Sequence, residues 1–114
     1  MDDAFVPLII GVVGAAVFVV MGWMGSRETL PRNAFFGIRV SSTTSSDEAW
    51  FAAHKVAAPY SYAAAVVVLT AGIASAALGT TEDEQGLILA GGLVVMLVVW
   101  IFGIRKAIAA AKAV

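Results

Sequence analysis

The residues of this chain that could do chemistry cluster in its middle: Arg39, the adjacent acids Asp47 and Glu48, and His54, the single histidine among 114 residues. Arg39 precedes Asp47 by eight positions, a spacing that lets a planar guanidinium bond two carboxylate oxygens across a turn. Such a clamp would close the loop while adding little net stability. The alternative is an Arg39 free to meet an anionic headgroup or a partner's acid. His54, two helical turns beyond Asp47, has the pKa range of a general base. No cysteine or second histidine stands beside it, and the nearby serines occupy turn and cap positions. No nucleophilic set is complete, so the chain is expected not to be an enzyme. One imidazole with scattered carboxylates offers no metal-ligand spacing, and nothing calls for a cofactor. Zero cysteines exclude disulfides and thiolate sites. Nucleic acid is not expected as a partner either, because the basic residues here are diluted by acids and no groove-reading motif is present.

The elements that must position these residues are membrane spans. Hydrophobic residues make up 61% of the chain and charged ones 13%, with a mean hydropathy of +0.92, far from the balance of a soluble domain. Three stretches carry no formal charge: 4–26, 56–81 and 85–104. Each reaches the roughly 20 residues that a helix needs to cross a hydrocarbon core of about 30 Å. The expected spans are about 4–26, 59–79 and 86–105, the second opening at Pro59 and the third behind Glu82, Asp83 and Glu84. The whole of 1–114 is read as one all-α membrane domain, a three-helix bundle. The first stretch follows Met-Asp-Asp rather than a basic segment and is longer than a signal core, so it is expected to be a retained span.

Orientation follows from the basic residues. All seven fall between Arg27 and Lys55 or in the tail from Arg105 to Lys112, whereas Asp2, Asp3 and the Glu82–Glu84 run mark the other side. The expectation is an outside N-terminus, a cytoplasmic C-terminus and a cytoplasmic loop at 27–58 in a bacterial plasma membrane, with membrane lipids as contacts. The spans contain no charged side chain, which argues against autonomous ion or proton transport. Small residues four apart (Gly11 and Ala15, Gly72 and Ala76, Ser75 and Gly79, Gly86 and Ala90) suit close packing of these helices on one another, or else docking on another membrane protein or a second copy. Trp23 and Trp100 lie where rings anchor at headgroups.

In the loop, Pro31, Asn33, Gly37 and the Ser/Thr run 41–46 are turn formers. Ser45 with Glu48, or Ser46 with Asp47 and Glu48, marks a helix start. On a helical wheel Asp47, Trp50, Phe51 and His54 share a stripe opposite Ala49 and Ala53. This predicts a short amphipathic surface helix at about 46–57, with Trp50 as an interfacial anchor.

The run from Asn33 to Arg39, followed after seven residues by Asp47-Glu48-Ala49-Trp50, resembles the signature of the SdpI-like bacterial membrane proteins, N-x-x-F-G-I-R-T-P-x-T-x-x-S-D-E-x-W. Asn33, Phe36, Gly37, Ile38, Arg39, Thr43, Ser46, Asp47, Glu48, Trp50 and His54 fall in register, while Val40 and Ser41 replace Thr-Pro. The resemblance implies a three-helix module with this loop between its first two helices, and Asn33, Gly37, Ile38, Arg39, Thr43, Ser46, Asp47, Glu48, Trp50 and His54 as an interaction or structural site. It also implies action by binding, as an immunity or protection factor or as a membrane anchor for a partner. The rival expectation is an accessory subunit of a larger membrane complex, working through its helix faces.

Overall fold

The structure is a computed structural model that describes residues 5–114. Asp2, Asp3 and Ala4, on which the acidic N-terminus and the start of the first span were placed, lie outside the described residues. Three helices account for the regular structure: α1 (Phe5–Ser26), α2 (Asp47–Leu78) and α3 (Glu82–Lys112). No strand occurs among the described residues. All three helices are long and apolar enough to cross a membrane. They lie side by side with α2 in the middle, packed broadly against both neighbours, while α1 and α3 hardly touch.

The 22 residues of α1 span about 33 Å at 1.5 Å per residue, close to a hydrocarbon core. With 32 and 31 residues, α2 and α3 are about 15 Å longer than α1. The molecule is accordingly 50 Å long, and the excess forms a small head where the 27–46 loop joins α1 to α2. The spans at 59–79 and 86–105 are thus the apolar parts of longer helices.

The separate surface helix expected at 46–57 is not formed. Those residues are the first turns of α2, which continues through Pro59. Proline inside a helix removes one backbone bond and costs about 3 kcal/mol, but here both faces of the preceding segment are covered. Ala49, Ala53 and Ala57 close against Ala107 and Ala111 of α3, while Trp50 and His54 are buried beneath the loop. A helix fixed on two sides cannot lie down on the membrane surface.

Small residues let the helices approach. On α1, Pro7, Gly11, Ala15, Gly22 and Gly25 form one buried stripe. At Gly11 an added Cβ would stand 3.0 Å from the Cα of Gly72, and at Gly25 one would stand 2.6 Å from the His54 carbonyl oxygen. Ser75 is also buried, its hydroxyl donating to the Gln85 carbonyl at 2.7 Å. The Gly11, Ala15, Gly72 and Ser75 positions therefore pack within the chain, whereas Gly86 and Ala90 are exposed. Phe18 meets Trp100 edge-on at 5.2 Å between ring centres, an aromatic pair linking α1 to α3, so Trp100 packs inward instead of serving as the headgroup anchor expected of it. The turn between α2 and α3 is capped by Thr81, which accepts from the Glu84 N–H at 3.1 Å, while the Glu84 carboxylate reaches back to the Thr80 N–H. These caps begin α3 at Glu82, four residues earlier than expected.

Candidate functional site

The loop starts from an abrupt helix end. Glu28 has φ 57°, and Thr29 N–H donates to Met24 O at 2.9 Å while Glu28 N–H donates to Gly25 O. This is the paired bonding that terminates a helix through a left-handed residue. Beyond it the chain wraps over the first turns of α2, held by side chains that bond to backbone.

Asn33 organises the first bend. Its Oδ1 accepts from the N–H groups of Phe35 and Phe36 at 2.9 and 2.7 Å, and its Nδ2 donates to the carbonyls of Pro31 and Phe36, each at 2.9 Å. A side chain that mimics a backbone turn in this way is the usual reason for Asn at a bend. Gly37 follows with φ 118°. A Cβ there would lie 2.7 Å from His54 Nε2 and 2.8 Å from the Trp50 ring, so only glycine fits, on both conformational and steric grounds.

Past Gly37 the loop plugs into α2. Ile38 N–H donates to His54 Nε2 at 2.8 Å, and His54 Nδ1 lies 2.8 Å from the Trp50 carbonyl oxygen. An imidazole nitrogen that accepts carries no proton, so the Nδ1–H tautomer is fixed and the ring is neutral. Desolvation by burial holds His54 below the ordinary histidine value and outweighs the opposing effect of the Trp50 carbonyl. His54 precedes Val56, where the charge-free stretch of α2 starts, and so belongs to the head. With both ring nitrogens engaged, it has no free lone pair for a substrate.

Trp50 is fully buried, its Nε1–H donating to Leu30 O at 2.9 Å. This corrects the interfacial-anchor expectation: the ring is the core of the head, stacked near His54 with centres 4.1 Å apart. Thr43, also fully buried, donates to Ile38 O at 2.6 Å and accepts from Val40 N–H at 3.2 Å. Ser46 is the N-cap of α2, accepting from Ala49 N–H at 3.0 Å.

The expected clamp between Arg39 and the acids is not made. Arg39 donates through Nε to the Asn33 carbonyl at 2.9 Å, and Asp47 pairs instead with Arg32 at 3.3 Å, whose guanidinium also donates to Thr44 O. Arg39 is held across the Asn33 bend, and the chain between Arg39 and Asp47 turns through Thr43, bonded to Ile38 and Val40. Glu48 is exposed at the helix start and has no ion pair among the described residues.

Of the ten expected site residues, Asn33, Gly37, Ile38, Thr43, Ser46, Trp50 and His54 bond or pack within the head. Their shared effect is to hold up a loop whose most exposed large hydrophobic residue is Phe35, 96% exposed, on a bend whose backbone is fixed by Asn33. The Asn33 carbonyl also tethers the exposed Arg39 through Nε, leaving its terminal nitrogens uncommitted. Neither Phe35 nor Arg32 was singled out from the sequence. The aromatic pair Phe35-Phe36 between the turn formers Asn33 and Gly37 was the available signal for Phe35. Among the described residues no cluster of His, Asp and Glu is arranged to hold a metal ion.

Three apolar helices with a loop-built head define a multi-pass helical membrane protein. The model of the SdpI/YfhL protein family matches residues 29–104, a stretch that starts in the loop and runs to the end of the apolar part of α3. The chain belongs to that family. No curated protein and no solved structure gives a match.

Proposed function

We propose that the protein acts by binding, with Phe35 and Arg39 as the contact that a protein partner reads, and serves as an immunity or protection factor or as a membrane anchor for that partner. The observation that carries this reading is the exposure of Phe35, 96%, on a bend in which Asn33 makes four hydrogen bonds. An aromatic ring held outward on a stiff support loses little conformational freedom on docking, as buried anchors of interfaces do. Arg39, tethered only through Nε, has its remaining donors free for a carboxylate.

Replacing Phe35 by the photoreactive p-benzoylphenylalanine in the native host tests it. One protein adduct that disappears in Arg39→Ala supports the reading; adducts with phospholipid alone sink it. A second reading, an accessory subunit of a larger complex, is favoured by the open small-residue pair Gly86 and Ala90 on the outer side of α3, where Gly86 has nothing within 4 Å of an added Cβ. In that case adducts form from position 90 and not from position 35.

The loop and the C-terminus face the cytoplasm of a bacterial cell in this proposal, with the N-terminus outside. Support comes from the seven basic residues, all on the loop side of the spans. In a chain without cysteine, single cysteines at Asp3 and Asp83 should react with impermeant reagents in intact cells, and one at Ser42 should not. The opposite labelling reverses the topology.

A further inference from the structure

The cations at the head are unequally neutralised. Arg32 pairs with Asp47 at 3.3 Å and Lys55 with Glu28 at 3.7 Å, Arg27 lies over the Trp23 ring at 3.9 Å, and Arg39, without an ion pair among the described residues, gives only its Nε to the Asn33 carbonyl. Arg105 and Lys106 on α3 have no ion pair among the described residues and are both exposed. With Phe102 they line an open recess of about 360 Å³. The uncharged stretch of α3 ends at Ile104, directly before them, so the two cations stand where the apolar span gives way to the headgroups, while the Trp100 ring below packs inward on Phe18 rather than anchoring at the surface.

A second recess, of about 310 Å³, opens between α2 and α3 and is almost wholly apolar, with Val66, Ala71, Gly91 and Val95 among its walls. The two recesses are connected by the face of α3. At about 100° per residue, Gly91, Val95, Val98, Phe102, Arg105 and Lys106 fall within an arc of about 100°. Val95, Val98 and Phe102 are each about half exposed along it. From Phe102 to Gly91 is about 16 Å along the helix, close to the thickness of one leaflet's hydrocarbon, about 15 Å.

We propose that this face of α3 is a binding site for one anionic glycerophospholipid, its phosphate held by Arg105 and Lys106 and one acyl chain lying over Phe102 and Val98 into the recess at Val95 and Gly91. The charge of the upper recess selects an anionic headgroup, and the apolar track of one-leaflet length selects a lipid over a soluble phosphate. The site is separate from the Phe35 loop and does not depend on the partner reading above.

The full chain, purified in a mild neutral detergent, is presented with equal amounts of phosphatidylglycerol and phosphatidylcholine, and the retained lipid is identified by native mass spectrometry. Phosphatidylglycerol should be preferred, with each basic residue contributing about fivefold. The double variant Arg105→Gln, Lys106→Gln should lose the preference, and the exchange Arg105→Lys, Lys106→Arg should keep most of it. An added Cβ at Gly91 meets nothing within 4 Å, so Gly91→Leu can fill the lower recess without disturbing the bundle. It should reduce retention of phosphatidylglycerol severalfold. Millimolar inorganic phosphate should not displace the lipid. Equal retention of the two lipids overturns the proposal, as does a preference that survives in the double glutamine variant. Displacement by inorganic phosphate, or full retention in Gly91→Leu, overturns the acyl seat and leaves a simple anion site in its place. Should the double variant fail to fold, the single variants Arg105→Gln and Lys106→Gln, each expected to lower the preference about fivefold, decide the headgroup contact, and Gly91→Leu decides the acyl seat.

Discussion

Ile38 and His54 are joined by a 2.8 Å hydrogen bond in which the loop backbone N–H donates to the imidazole Nε2. Protonating that nitrogen would set two donors against each other and push the loop off α2. In the fold, burial keeps His54 below the ordinary value of 6.5, while the unfolded chain takes up a proton near that value. Stability should therefore be complete above pH 6.5 and fall as the pH drops below it, by up to about 1.4 kcal/mol per unit until the folded imidazole titrates. Thermal unfolding in detergent at pH 8 and pH 5.5 measures this. His54→Gln should be less stable at pH 8 and flatter with pH, and a wild-type midpoint unchanged across the range contradicts the neutral tautomer.

Trp50 offers a separate check on the head. Trp50→Phe keeps most of the ring but strands the Leu30 carbonyl, for an expected cost of about 1–3 kcal/mol. Trp50→Ala empties the core of the head and should cost about 3–5 kcal/mol. Denaturant unfolding in detergent reads both; equal stability of Trp50→Phe and wild type would show that the Nε1–H bond to Leu30 contributes nothing.

Gly37→Ala should be more damaging than its size suggests. The methyl group would meet His54 and Trp50 at under 3 Å, on a backbone at φ 118° that side chains rarely adopt. Limited proteolysis should cut the 27–46 loop of this variant many times faster than wild type while α1 and α3 remain protected. Unchanged protection of the loop would mean that Gly37 is not the close-approach point.

Two double-mutant cycles separate the ion pair that is formed from the one that is not. Arg32 with Asp47 should couple by about 0.2–1 kcal/mol, as exposed pairs do. Arg39 with Asp47 should be additive within about 0.5 kcal/mol, since the two share no contact. Coupling in the second cycle and none in the first would reverse the assignment.

Glu28 holds φ 57°, a conformation that costs a non-glycine residue about 1–2 kcal/mol. Its exposed ion pair with Lys55, at 3.7 Å, returns less than that. Glu28→Gly is thus expected to leave the midpoint unchanged or to raise it slightly, whereas Glu28→Val should lower it. A clear loss in the glycine variant would show that the Lys55 contact outweighs the strain.

The spans were legible because uncharged runs of sufficient length have few other structural outcomes. The continuity of α2 was not. Pro59 and the charges at Asp47, Glu48 and Lys55 carry the local signals of a boundary, and what overrides them is packing of Ala49, Ala53 and Ala57 on Ala107 and Ala111, which lie about fifty to sixty residues further along the chain. The loop residues were located by their types, but their bonding partners were not. Nothing in the spacing distinguishes Arg32 from Arg39 as the mate of Asp47, because the answer depends on how Asn33 and Thr43 bend the chain between them. Trp50 was misread for a related reason: beside a membrane a tryptophan in an amphipathic stripe suits the headgroups equally well, and only the fold of the loop supplies Leu30 as its cover.

The alanine seam has a consequence for the order in which the protein is made. Ala107 and Ala111, which wall the head against Ile38, Ala49 and Ala53, belong to the last turns of α3 and leave the ribosome after the loop that they enclose. Until those turns arrive, the loop can reach His54 and Trp50 but has no far wall. Completion of the head therefore reports that α3 has been inserted in the right direction beside α2, so that a chain with a misplaced third helix would carry an open, protease-accessible loop.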